Sequence, residues 1–135
     1  MKKNKTICII DDEIIVHFII NTIISKFDNK ITVLAYNNGE EAIISFKKML
    51  PAEEHIPDIV LLDINMPVMD GWQFLDEFIK IKSQINKKIA IYILSSSSAP
   101  EDINKSKSYS AISGYLSKPL ESDTLRNLIR LELGE

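Results

Sequence analysis

A chain of 135 residues, 45% of them hydrophobic and 26% charged, fits one compact domain with a substantial core and leaves no room for a second. A net charge of −3 without any block of like charges argues against a surface that neutralises nucleic-acid phosphates. No run is long enough to span a membrane, the first apolar stretch is too short for a signal-peptide core, and Cys8, the only cysteine, lies in an apolar run as a small buried residue would in a reducing cytoplasm.

Residues 1–5 carry lysines and are expected to form a solvated tail, with the domain proper over 6–135. The first strand is predicted over 6–10 and stops at Asp11 and Asp12. A helix follows over 13–27. At about 100° per residue, Val16, Ile19, Ile20, Ile23 and Phe27 share an arc that can face a sheet, with Ile24 at its margin. Ile14, Ile15 and Phe18 fall off that arc, and His17 reads as exposed with no metal role. Residues 31–36 form a second strand, 39–50 a helix, and 58–64 a third strand that carries Asp63. Asp70-Gly71 is a turn signal. The helix over 72–81 opens on Trp72, read as a packing residue. A fourth strand over 89–94 runs into the serines 95–98, then come a helix over 101–109, a fifth strand over 114–117 and a last helix over 122–133.

This is βα five times, and three of the strand runs are apolar nearly throughout, as parallel strands covered on both faces must be. Right-handed crossovers then leave a parallel sheet with helices on both faces. Asp11 and Asp12 end the first strand, Asp63 the third, Ser95 the fourth and Lys118 the fifth, so all five meet at one sheet edge, where ligands of open α/β sheets bind. Three carboxylates there repel one another unless a cation lies among them, and an all-oxygen set suits Mg²⁺. Lys118 adds a compact positive charge, so the edge fits an anion together with a metal.

The segments IIDDE (9–13), LLDINMPVMDGW (61–72), ILSSS (93–97) and GYLSKPL (114–120), in this order and at these strand ends, resemble the receiver domain of bacterial response regulators. The resemblance covers the chain from about residue 6 onward. It implies a flavodoxin-like fold with strand order 2-1-3-4-5. It also implies that Asp63 is the phosphoacceptor, that Asp12 and Asp63 ligate Mg²⁺ directly and Asp11 through water, and that the backbone carbonyl of Asn65 is a further ligand. Ser95 would be the switch hydroxyl, Tyr115 the switch aromatic, and Lys118 the phosphate-binding lysine before a cis bond to Pro119. Ser95 stands where the family usually has threonine, and Ser96 is the alternative for the hydroxyl.

The implied partners are a histidine kinase or histidine phosphotransferase upstream and an unknown protein target downstream, with no direct nucleic-acid or membrane contact. With no output module after the last helix, the chain is expected to act by docking, signalling through its α4-β5-α5 surface rather than as an enzyme. Ile14, Ile15 and Phe18 are the expected kinase-docking patch, since they border the sheet edge that carries Asp63. Taken singly, each feature has a plainer reading: paired acids can be helix-capping charge, and Lys118-Pro119 a loop. Two other functions also suit an α/β fold. An aspartate-nucleophile phosphohydrolase would carry its nucleophile after the first strand in a DxDx[TV]-like motif, and a flavodoxin needs a Ser/Thr/Gly-rich phosphate cradle there; this chain has Asp11-Asp12-Glu13.

Overall fold

The computed structural model describes residues 5–52, 55–96 and 99–134. Strands and helices alternate: β1 (Thr6–Ile10), α1 (Ile14–Phe27), β2 (Thr32–Tyr36), α2 (Gly39–Met49), β3 (Ile59–Leu62), α3 (Gly71–Lys82), β4 (Ala90–Ser95), α4 (Pro100–Lys107), β5 (Ile112–Ser117) and α5 (Ser122–Leu133). The strands form one parallel sheet in the order β2-β1-β3-β4-β5, the flavodoxin-like arrangement expected. The order reverses between β1 and β3, so Asp11, Asp12 and Asp63 share one crevice.

Strand alternation divides the core in two. Cys8, Ile10, Val60, Leu62, Ile91 and Ile93 face α2 and α3, packing on Phe46, Phe74 and Phe78, whose rings meet edge-on or stacked. Ile7, Ile9, Ile59, Leu61, Tyr92 and Leu94 face α1 and α5, packing on Ile20, Ile24, Leu125, Leu128 and Ile129. Truncating a ring such as Phe74 would cost about 3–5 kcal/mol. β1, β3 and β4 are buried throughout, which is why their sequences read as nearly unbroken apolar runs.

Several boundaries and side chains differ from the sequence-based expectation. The third strand is shorter than 58–64, because Asp58 is used at the opposite end of the sheet, where its carboxylate accepts from the Thr6 N–H (2.9 Å) and pairs with Lys87 (3.1 Å). β5 starts two residues earlier than expected, at Ile112, with a register irregularity between Ile91 and Tyr92 of β4. A Cβ on Gly114 would lie 2.8 Å from the Tyr92 ring, so glycine is needed where that ring crosses. In α1 the buried residues are Ile20 and Ile24, whereas Ile19 is partly exposed. The helix is apolar on most sides, so packing against α5 selects the buried arc, and Arg130 of α5 stacks over Phe27. His17 is half-buried, not exposed. Residues 1–4 of the expected tail lie outside the described residues, and Lys5 is tied down by a bond from its ammonium to the Leu133 carbonyl at the end of α5 (2.6 Å).

Candidate functional site

Ladder hydrogen bonds continue past the strand ends and fix the site residues. Asp11 N–H donates to Tyr36 O (3.1 Å), Asp63 N–H to Ile10 O (2.9 Å) and Lys118 N–H to Ser95 O (2.9 Å). Asp11 is held further: its Oδ1 accepts from Glu13 N–H (2.9 Å), and the His17 imidazole bonds its carbonyl oxygen through Nε2 (2.7 Å). Asp63 Oδ1 accepts from Asn65 N–H at 3.3 Å. The Lys118-Pro119 bond is cis, as expected.

Carboxylate oxygens of Asp11, Asp12 and Asp63 lie within 4.8 Å of one another. Asp11 is fully buried and Asp63 is 4% exposed, while Asp12 opens to solvent. The Lys118 ammonium reaches in from β5 and lies 2.9 Å from Asp11 Oδ2, 2.7 Å from Glu13 Oε1 and 3.6 Å from Asp63 Oδ2. Asp11 Oδ2 is buried, and the Lys118 ammonium is the charge that faces it.

One ammonium among four acids leaves the pocket anionic. Burial, then the charge of Asp11, pushes the Asp63 carboxyl up from 3.8 to about 6, with Lys118 and the Asn65 N–H opposing the rise. For Lys118, burial favours the neutral amine, but Asp11, Glu13 and Asp63 outweigh it and the net shift is upward. The pocket therefore suits a hard divalent cation, with carboxylate oxygens of Asp11, Asp12 and Asp63 as the candidate ligands.

Ser95 is buried at the end of β4, while Ser96 is exposed. By strand parity Ser95 points to the same face as Ile91 and Ile93, the face on which Tyr115 packs, half-buried, against the α2-α3 cluster. The residue Asn65 is exposed beside Asp63. Ile14, Ile15 and Phe18 are exposed by 82%, 61% and 65%, and Ile19, at 39%, extends their patch.

Two site features go beyond the sequence reading. Asp70-Gly71 is more than a turn: Asp70 and Gln73 form a reciprocal capping box on α3, and a Cβ on Gly71 would sit 2.6 Å from the Asp63 carbonyl oxygen. Glu13, read only as the first residue of a helix, is the closest ion-pair partner of Lys118. The run of three acids is visible in the sequence, but the lysine that meets the third lies on a distant strand.

The family model for the response regulator receiver domain matches residues 7–130. The chain belongs to the response regulator receiver family. Receiver domains are the phosphoacceptors of two-component signalling and work with histidine kinases or phosphotransferases. Among curated relatives, the chain is 34% identical over 131 residues to the nitrate/nitrite response regulator NarL of Escherichia coli, covering 96% of this chain but only 56% of NarL. It is 28% identical over 127 residues to sporulation initiation phosphotransferase F of Bacillus subtilis, covering 94% of this chain and 92% of the relative. Among solved structures, a two component response regulator from Cytophaga hutchinsonii superposes with a TM-score of 0.84 at 32% identity over the whole of both chains. The chemotaxis protein CheY4 of Vibrio cholerae gives 0.76 at 25% identity, covering 96% of this receiver and 99% of that chain. Among the described residues no helix is long and apolar enough to cross a membrane.

Proposed function

We propose that this receiver accepts a phosphoryl group on Asp63 from a phosphohistidine of a histidine kinase or phosphotransferase, with Mg²⁺ in the acidic pocket. The observation that carries this reading is the meeting of Asp11, Asp12, Asp63 and Lys118 at one sheet edge, with the Asp63 carboxylate flanked by an ammonium. Asp63 attacks phosphorus in line; the new O–P bond forms as the donor's P–N bond breaks, and the imidazole leaves with the bonding electrons. Lys118 neutralises charge on the transferring oxygens. Asp12 and Asp63 would hold Mg²⁺ directly, with the Asn65 backbone carbonyl, and Asp11 through water. The ion would supply further charge neutralisation on the phosphoryl oxygens.

The phosphorylated Asp63 bears about two negative charges and draws in donors. The Ser95 hydroxyl is the switch donor in this reading, supported by its burial and its shared face with Tyr115. Its inward movement would free space for the Tyr115 ring and alter the α4-β5-α5 surface read by a downstream protein. Serine lacks the methyl of threonine, so the coupling is looser. Docking of the phosphohistidine protein falls to Ile14, Ile15 and Phe18: they stand in the first turns of α1, directly after the acidic pair, and an apolar patch there suits a helix-on-helix interface.

The test is modification by acetyl phosphate or beryllofluoride with Mg²⁺, followed by intact mass or NMR. One phosphoryl group should be gained from acetyl phosphate, and the gain should be abolished by EDTA during labelling and by Asp63→Asn. Labelling that ignores metal removal or persists in the Asn variant contradicts the assignment.

A further inference from the structure

The three acids around Lys118 are not equivalent. Asp11 is 1% exposed in its side chain and fixed by its own backbone and side-chain bonds, and Asp63 is nearly as covered. Glu13 makes the shortest contact with the ammonium, 2.7 Å, yet its side chain is 54% exposed. It stands at the N-cap of α1 without making a side-chain capping bond, and it is absent from the group of carboxylates close enough to share a cation. Glu13 is thus the one acid on Lys118 that can swing into water without breaking backbone structure.

We propose that Glu13 is a positioning residue that acts through Lys118, occupying the ammonium in the resting receiver and giving it up to the phosphoryl group. This rests on the reading of Asp63 as phosphoacceptor. With a cation among Asp11, Asp12 and Asp63, their charge is largely engaged, and Glu13 remains the free competitor for the lysine. A phosphoryl group on Asp63 offers a doubly charged alternative, and Lys118, on a flexible four-carbon stem, exchanges partners. The device therefore opposes phosphoryl binding and leaves the metal site untouched. Because Glu13 immediately precedes Ile14, its release also occurs beside the proposed docking patch.

The experiment compares wild type with Glu13→Gln, Lys118→Met and the double variant, using beryllofluoride affinity and the KM and kcat of acetyl phosphate labelling, with Mg²⁺ affinity measured separately by calorimetry. Glu13→Gln should tighten beryllofluoride binding and lower the acetyl phosphate KM by about fivefold, the scale of one partly exposed ion pair. Mg²⁺ affinity and kcat should stay near wild type, and in the Lys118→Met background the Glu13 effect should vanish. An unchanged KM, an effect that survives without Lys118, or a loss of Mg²⁺ affinity in Glu13→Gln overturns the proposal, the last by making Glu13 a metal ligand. The Lys118 Cε resonance of the unphosphorylated protein reads the ion pair without phosphoryl chemistry and should shift in Glu13→Gln; no shift also overturns it. If that resonance shifts while wild type takes up neither reagent, the assignment of Asp63 has failed and the exchange falls with it.

Discussion

Asp63→Asn should make the metal-free protein more stable, and the size of the effect follows from the pocket. Burial and the charge of Asp11 raise the Asp63 carboxyl from 3.8 to about 6. The folded state therefore holds the proton more tightly than the unfolded chain, so the favourable contribution is complete below about pH 4 and is lost as pH rises to about 6. Near neutral pH the rise corresponds to at most about 3 kcal/mol, and solvent screening at the open sheet edge reduces the expectation to about 1–2 kcal/mol. The substitution removes the charge, keeps an oxygen to accept from the Asn65 N–H, and leaves Lys118 with Asp11 and Glu13. Urea denaturation in EDTA should show the Asn variant ahead by that margin near neutral pH and level with wild type near pH 4. Millimolar Mg²⁺ should stabilise wild type by linkage and narrow or reverse the gap. An Asn variant that is less stable in EDTA near neutral pH, or an advantage that does not shrink on acidification, would refute the electrostatic account of the pocket.

Gly71→Ala should destabilise the fold by about 1–3 kcal/mol despite the better helix propensity of alanine, because the new Cβ meets backbone atoms of Asp63 and Ile64 that cannot rotate away. Acetyl phosphate labelling should slow with it, and thermal melts at wild-type temperature would contradict the clash. Ser95→Ala should still be phosphorylated but lose the phosphorylation-linked NMR changes around Tyr115; an unchanged response transfers the role to Ser96 or removes it. Phe18→Ala or Ile14→Asp should slow transfer from the cognate phosphohistidine protein at least about tenfold, some 1.4 kcal/mol, while labelling by acetyl phosphate stays near wild type. Equal slowing from both donors would mean damage to the site, and no slowing from either would exclude this patch as the docking surface.

The sheet is legible in the sequence because β1, β3 and β4 are buried on both faces and are apolar nearly throughout, and because the polar residues of the site punctuate the ends of those runs. Where burial is one-sided the pattern is weaker. β5 is an outer strand with an irregular register, and only its last four residues stand out from the preceding loop. α1 carries apolar residues on most of its circumference, so periodicity alone admits more than one buried arc; the contact with α5 decides for Ile24 over Ile19. The half-burial of His17 escapes sequence reading because its partner is a backbone carbonyl, that of Asp11, which leaves no mark in side-chain patterning. The Glu13-Lys118 pair joins residues 105 positions apart, and its acidic member is ordinary helix-start charge when seen alone. Gly71 is recognisable as a turn residue, but the approach of the Asp63 carbonyl that demands glycine exists only once the chain folds back over β3.

The central claim is that the phosphoryl group resides on Asp63, and it is tested most directly by locating the acyl phosphate at residue level. Protein labelled by acetyl phosphate and Mg²⁺ is reduced with borohydride, which converts a phosphorylated aspartate to homoserine, then digested and sequenced by mass spectrometry. The account predicts homoserine at position 63 alone, absent when EDTA is present during labelling. Conversion at Asp11, Asp12 or Asp70 instead, or a phosphoryl group on a serine or histidine with Asp63 unmodified, would contradict it.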